Sequence, residues 1–166
     1  IEARAPHLLS RVRWLDTLPE QGMHGVVVAN EVLDAMPVEC FRVNRGAVEQ
    51  LRVFSHDGDL RAGYAQADSR LEQQVRLIEQ RRGRPFEDGF CSELNPALPA
   101  WLAALHAAIE RGMVLLIDYG YPLREYYLDE RNHGTLICHY RHRAHADPLW
   151  YPGLQDITAF VDFTSV

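Results

Sequence analysis

The sequence contains no lysine, so all 17 of its basic residues are arginine. Asp and Glu together number 23, and the formal net charge is −6. A protein that grips nucleic acid needs a basic surface against the phosphate backbone. The acidic balance therefore argues against a general nucleic-acid binder, and no nucleic-acid partner is predicted.

Cysteine is also scarce, and Cys40, Cys91 and Cys138 lie far apart along the chain. An odd number without metal-ligand spacing indicates neither a disulfide framework nor a zinc site, and a reducing compartment is the default. No apolar run approaches the roughly 20 residues that cross a bilayer, so no membrane association is predicted. The chain has 166 residues, of which 47% are hydrophobic, and this is enough for one domain with a hydrophobic core.

A short apolar run at residues 26–29 organises the rest of the chain. Such a run is typical of a strand buried on both faces of a parallel sheet. Asn30 and Glu31 follow at once, and Asp34 comes three residues later. Ligands of open α/β sheets bind at the carboxyl ends of strands, so these residues are candidates for a site. The alternative is that Asn30 caps a helix whose dipole favours the two acids. This stretch alone leaves both interpretations open.

A second unbroken apolar run, residues 113–117, also ends in polar residues, the first of which is Asp118. Two apolar strands that each end in an acid are a better signal than either alone. We therefore predict that the two runs form adjacent, parallel and buried strands. The carboxylates of Glu31 and Asp118 would then face one cleft.

The remaining pattern is mixed. Turn signals around Asn44-Arg45-Gly46 and around Asp57-Gly58 predict two or three antiparallel strands between residues 40 and 60. Apolar residues at helical spacing predict two helices, the second ended by Gly112. The predicted elements are a short helix at 3–11, a strand at 12–14, helices at 68–82 and 98–111, and strands at 136–140 and 157–163.

Other residue patterns in the sequence do not predict a site. His139, His142 and His145 recur every three residues, but their flanks favour a strand and a turn, so a zinc site is not predicted. The patch from Arg141 to Arg143 could meet an anionic ligand, although such patches are more often solvated loops. No Gly-x-Ser-x-Gly elbow and no Walker loop is present.

Three parts of the chain together carry a family resemblance. They are the run NEVLDAMPV at residues 30–38, Asp118-Tyr119-Gly120, and a C-terminal region that ends in QDITAFVDFT at residues 155–164. The sequence resembles the S-adenosyl-L-methionine (SAM)-dependent methyltransferase family that includes the mitochondrial complex I assembly-factor arginine methyltransferase and its bacterial homologues. The resemblance covers nearly the whole chain, and the last run is the most specific. Phe160 departs from the family pattern, in which His is expected.

The resemblance implies a class I methyltransferase fold, an α/β Rossmann-like fold with a doubly wound, mostly parallel sheet. Residues 1–166 would form a partial domain, with an antiparallel β insertion at about 40–60 and a helical segment at about 68–111. The family's first strand and glycine-rich cofactor loop are expected ahead of Ile1. On this interpretation the chain lacks both.

The resemblance also implies site residues. SAM is the expected cofactor, with Glu2 placed to accept hydrogen bonds from both ribose hydroxyls, Asp16 near the adenine amine and Asn30 near the methionine end. Glu31, Asp34 and Asp118 are the catalytic candidates, because carboxylates pair with a guanidinium in a fork and accept its developing charge. Four further residues are assigned to substrate binding: Tyr119, Gln155, Asp156 and Asp162.

The expected function is SAM-dependent methylation of a protein with a basic acceptor, an arginine on the family analogy, linked to assembly of a respiratory complex. The expected location is the cytoplasm in a bacterium or the mitochondrial matrix in a eukaryote. One alternative is a non-catalytic binding or assembly module of the same fold. Another is a nucleotide-binding, dehydrogenase-like domain, against which the run at residues 155–164 argues.

Overall fold

A computed structural model describes residues 4–19 and 22–166 of the chain. After a 3₁₀ helix at Pro6–Arg11, the strands and helices follow one another from residue 23. The helices are α1 (Ser69–Arg82), α2 (Leu98–Ala108) and α3 (Leu123–Tyr126). The strands are β1 (Met23–Asn30), β2 (Glu39–Asn44), β3 (Ala47–His56), β4 (Asp59–Gln66), β5 (Cys91–Leu94), β6 (Ile109–Ile117), β7 (Gly120–Tyr121), β8 (Ile137–Tyr140), β9 (Arg143–His145), β10 (Asp156–Thr158) and β11 (Val161–Asp162).

β1 and β6 form a parallel pair, in which Val26 lies opposite Met113 and Asn30 lies opposite Ile117. The prediction of adjacent parallel strands is therefore confirmed. The prediction that both are buried is wrong for the described part of the chain, since Val26 is 64% exposed and Met113 is 63% exposed. An apolar run shows that a strand can be buried, but whether it is buried depends on the elements that pack against it. Here the described sheet contains only these two strands.

Four antiparallel strands form the largest sheet, in the order β4-β3-β2-β5. Arg45 and Gly46 connect β2 to β3, with φ of 50° and 80°. Asp57 and Gly58 connect β3 to β4, with φ of 53° and 86°. Positive φ at both central residues is what a two-residue hairpin of matching twist requires. The predicted antiparallel strands are confirmed, and they extend to Gln66, with β5 as an additional strand that the sequence pattern did not predict.

Helix α1 packs against this sheet and closes the main core. Asp68 caps it by accepting a hydrogen bond from the Leu71 amide at 2.8 Å, and Gly83 ends it at φ 79°. The predicted apolar face is confirmed, because Leu71, Val75 and Ile78 are buried. They meet apolar and aromatic side chains from the sheet, the following loop and α3, among them Phe41, Val43, Phe86, Phe90, Tyr126 and Tyr127.

Helix α2 is shorter than predicted. It ends at Ala108, and β6 begins directly at Ile109 instead of after a glycine stop. Gly112 lies within β6, where an added Cβ would clash with the carbonyl oxygen of Gly25 on β1. The glycine therefore permits a close approach of two strands and does not end the helix.

The C-terminal third combines short strands. β10, β8 and β9 form an antiparallel sheet, and β7 pairs with β11 in parallel. The predicted strand at 157–163 is interrupted, because the Ala159 amide donates to the Asp34 carbonyl and the Phe160 amide donates to the Thr135 hydroxyl, both at 2.9 Å. The strand predicted at 12–14 is irregular backbone in the structure.

Candidate functional site

The carboxyl ends of β1 and β6 meet at one edge, as the polar residues after both strands suggested. The Glu31 amide donates to the Ile117 carbonyl at 2.8 Å, so Glu31 and Asp118 leave the sheet side by side. Glu31 adopts φ 50°, a left-handed conformation that is costly for a residue with a side chain. Glu31 is exposed, and its carboxylate has no hydrogen-bond or ion-pair partner among the described residues. The backbone strain thus lies at the residue that presents this acid to solvent.

Asp118 is held by backbone amides of the loop that follows β1. Its Oδ2 accepts hydrogen bonds from Val32 at 3.2 Å, Leu33 at 2.9 Å and Asp34 at 3.3 Å. Its Oδ1 accepts from the Tyr119 amide at 2.9 Å. A carboxylate that accepts several amides fixes the loop, because each charge-assisted bond is stronger than a neutral one. Asp118 consequently positions the loop that carries the other acids.

Asp34 is the most enclosed acid of this loop, with 4% of its surface exposed. Its Oδ2 accepts the hydroxyl of Tyr119 at 2.5 Å. Its Oδ1 is buried and has no hydrogen-bond partner among the residues that the structure describes. Burial and the hydrogen bond to Asp34 raise the pKa of Tyr119, so the phenol remains a donor at neutral pH. Asp34 therefore has one oxygen held by Tyr119 and one free to accept a further donor.

Aromatic rings surround Tyr119. The ring of Phe160 meets Tyr119 edge-on at a centroid distance of 5.2 Å and lies 5.6 Å from Tyr121. Phe160 occupies the position at which the family resemblance predicts His. In this chain the position contributes an apolar contact that orients Tyr119, without a hydrogen bond from its side chain.

The residues predicted to bind the cofactor have fewer contacts with the acidic edge than Asp34 and Asp118 have. Asn30 is exposed at the end of β1, and Asp16 is exposed in the irregular segment before β1. Glu2 lies outside the described residues. Asn30 alone of these three is therefore placed by the structure at the edge that carries Glu31. Their assignment to SAM remains a prediction.

Three of the predicted substrate-binding residues have local contacts of their own. Gln155 donates from Nε2 to the Pro148 carbonyl at 2.7 Å. Asp156 is exposed in β10, opposite His139. Asp162 accepts hydrogen bonds from the Thr164 amide at 2.9 Å and the Ser165 hydroxyl at 2.8 Å. The segment approaches the acidic loop through the Ala159 amide, but none of the three side chains bonds to Glu31, Asp34 or Asp118.

Glu93, which the sequence analysis missed, is a buried acid at the centre of a hydrogen-bond network. It is 2% exposed, and its Oε1 accepts the Tyr126 hydroxyl at 2.7 Å, the Thr135 amide at 2.9 Å and the Thr135 hydroxyl at 2.6 Å. Nothing in the pattern CSEL distinguishes Glu93 from an exposed acid, so no sequence signal identifies it.

The Cys40 thiol lies close to this network. Burial raises the pKa of Cys40 to about 12, with smaller contributions from the charges of Glu93 and Cys91.

The described residues contain no group of three or more His, Cys, Asp or Glu side chains that could hold a metal ion. His139 lies in β8 and His145 in β9, while His142 occupies the turn between them. In residues 4–19 and 22–166, no helix is both long enough and apolar enough to cross a membrane.

Comparisons with known proteins give a consistent result. The family described as "Putative S-adenosyl-L-methionine-dependent methyltransferase" matches residues 1–166. The "Protein arginine methyltransferase NDUFAF7 homolog, mitochondrial" of Drosophila melanogaster is 32% identical over 93% of this chain, which spans 33% of that protein.

Two crystal structures of COG1565 superfamily proteins from Burkholderia thailandensis are also similar, each with a TM-score of 0.86 over 98% of this chain. One is bound to S-adenosyl-homocysteine and is 43% identical, with 41% of its length covered. The other is 45% identical, with 42% of its length covered. The chain thus spans between a third and about two fifths of the length of these relatives.

Proposed function

Because the chain belongs to this S-adenosyl-L-methionine-dependent methyltransferase family, we propose that its complete gene product transfers a methyl group from SAM to a basic side chain of a protein. The observation that carries the proposal is the acidic edge beyond β1 and β6. Exposed Glu31 and buried Asp34 belong to one loop, and Asp118 holds that loop through its backbone. An edge of this kind fits a cationic group better than a neutral one.

The acidic edge also fits the cofactor, because the sulfonium of SAM is positively charged. Asn30, at the end of β1, is the described residue that would lie near its methionine end. When bound, SAM supplies an electrophilic methyl group. The contribution of the chain is then to hold the acceptor nitrogen in line with that methyl, since methyl transfer gains mostly from orientation.

Glu31 and Asp34 have different roles in this proposal. The unpartnered Oδ1 of Asp34 accepts an N–H of the acceptor, while Tyr119 keeps Oδ2 occupied and the carboxylate oriented. Glu31 is exposed and accepts a second N–H or the positive charge that develops on the acceptor. Asp118 acts through the loop and is a positioning residue.

Arginine is the acceptor that these observations favour. A guanidinium presents several N–H groups in a plane, and two carboxylates can bind it from different sides. The Drosophila relative is named as a protein arginine methyltransferase, which supports this choice at 32% identity. The link to respiratory-complex assembly and the mitochondrial or cytoplasmic location remain predictions from the family resemblance.

The test uses the complete gene product, SAM with a tritiated methyl group, and proteins of its own cell extract as acceptors. We expect label in methylarginine after acid hydrolysis. Glu31→Gln should lower methyl transfer at least tenfold while SAM affinity stays within twofold, because the lost interaction is with the acceptor. Glu72→Gln on α1 is the matched control and should keep full activity.

Two outcomes would contradict the proposal. SAM binding without any protein methylation would favour the non-catalytic module of the same fold. Label in lysine or another residue would keep the methyltransferase activity and refute the arginine acceptor.

A further inference from the structure

A cleft of about 350 Å³ lined by three arginines lies where α1 ends and α3 begins. Its lining comprises Arg82, Arg84, Arg124 and Tyr127, and we call it the arginine cleft. It shares no residue with the acidic edge. Since the chain has no lysine, arginine is its only side chain that carries a permanent positive charge for an anion to bind.

Arg82 forms the rigid wall of the arginine cleft. Its side chain is only 4% exposed, and its guanidinium carbon lies 4.2 Å from the ring centroid of Phe86. Its Nη2 donates to Oδ1 of Asp129 at 2.6 Å. Its Nη1 is buried and has no hydrogen-bond partner in the described part of the chain. A desolvated guanidinium with an incomplete set of acceptors is costly unless a further acceptor reaches it.

The charges of the arginine cleft do not balance. Arg84 forms an ion pair with the same acid, with its Nη2 2.6 Å from Oδ2 of Asp129, so one carboxylate serves both Arg82 and Arg84. Arg124 has no ion-pair or hydrogen-bond partner among the described side chains. Asp129 is therefore the one carboxylate that pairs with the cleft's three guanidinium groups in the described structure, and it reaches only two of them, which leaves an excess of two positive charges in a chain whose net charge is −6.

We propose that the arginine cleft binds an oxyanion, a phosphate or carboxylate group. Guanidinium groups bind such anions through paired N–H donors in a planar fork. The stacked and buried Arg82 supplies a preorganised donor, and the more exposed Arg84 and Arg124 can close on the anion. The proposal goes beyond methyl transfer, because the arginine cleft shares no residue with the acidic edge.

The arginine cleft is distinct from the basic patch in the sequence at residues 141–143. Arg141 and His142 form an exposed turn with φ of 48° and 63°, and Arg143 is exposed in β9. These side chains have no buried guanidinium and no shared carboxylate comparable with Arg82 and Asp129. The structure therefore places the anion site elsewhere than the sequence pattern alone would.

The experiment is a calorimetric titration of the complete gene product with inorganic phosphate, at an ionic strength held constant with sodium chloride. Constant ionic strength separates a site from general screening. We expect saturable binding of one phosphate per chain. The double variant Arg84→Gln/Arg124→Gln should weaken this binding at least tenfold, while Asp129 keeps its bond from Arg82. Arg70→Gln, an exposed arginine on α1, is the matched control and should bind phosphate as the wild type does.

A titration with acetate distinguishes the source of the anion. Competition between acetate and phosphate supports an oxyanion site that accepts carboxylate groups, and phosphate binding without competition supports a tetrahedral anion. No saturable binding of either anion, or equal binding by the double variant, overturns the proposal. Melting curves check that the variant is folded, and Arg124→Gln alone, which breaks no described bond, replaces it if it is not. The readout is anion binding, so its outcome is independent of methyl transfer.

Discussion

Replacing Asp118 by Ala tests whether this acid holds the loop after β1. The substitution removes the acceptor of three amides, those of Val32, Leu33 and Asp34, together with the acceptor of the Tyr119 amide. No other side chain in the described structure bonds to these three loop amides. The loop should therefore open more often, and Glu31 and Asp34 should lose their relative placement.

The expected size of the effect follows from the bonds. A hydrogen bond to a charged group contributes about 1.5–3 kcal/mol. The three loop amides share one oxygen, and the Val32 amide is exposed, so water replaces part of what is lost. We expect a loss of about 3 kcal/mol, well below the sum of the separate bonds. This free energy corresponds to roughly a hundredfold faster hydrogen exchange at the Leu33 and Asp34 amides if they exchange through local opening.

The assay combines amide exchange and urea unfolding with methyl-transfer rates of the complete gene product. Glu31→Gln is the control, because its side chain has no partner in the described structure and its exchange and unfolding should match the wild type. Both variants should lower methyl transfer, but only Asp118→Ala should speed exchange. Unchanged exchange at Leu33 and Asp34 in Asp118→Ala would refute the positioning role. Full methyl transfer by both variants would also remove the support for an arginine acceptor.

Two further predictions concern buried groups away from the acidic edge. Glu93→Leu should destabilise the protein to urea by about 2–4 kcal/mol, because it leaves the buried donors of Tyr126 and Thr135 without their acceptor; an equal loss in the exposed control Glu87→Leu would contradict this. Burial raises the pKa of Cys40 from about 9 in the unfolded chain to about 12 in the folded protein. Between pH 9 and 12 the unfolded thiol loses its proton while the folded one keeps it, so the free energy of unfolding should fall by roughly 1.4 kcal/mol per pH unit, and below pH 9 this loss is absent. Cys40→Ala should lack this part of the pH dependence of urea unfolding. If the free energy of unfolding changed with pH equally in the two proteins, the pKa of Cys40 would not be raised by folding.

Local patterns in the sequence were enough to predict several elements. The hairpin turns at Arg45-Gly46 and Asp57-Gly58 depend on residues that tolerate positive φ, and the buried face of α1 depends on helical spacing. The edge with Glu31 and Asp118 was also predictable. It needs only two apolar runs that each end in an acid, together with the rule that parallel strands align their carboxyl ends.

The roles of the acids, in contrast, depend on contacts between distant parts of the chain. Asp118 bonds to amides 84 to 86 residues away, and Glu93 meets Tyr126 and Thr135 across 33 and 42 residues. The same holds for Arg82, whose partner Asp129 is 47 residues away. A carboxylate or guanidinium in a sequence has the same chemistry everywhere. Whether it positions a loop, carries a buried network or remains free for a ligand is decided by the donors and acceptors that the tertiary structure brings to it.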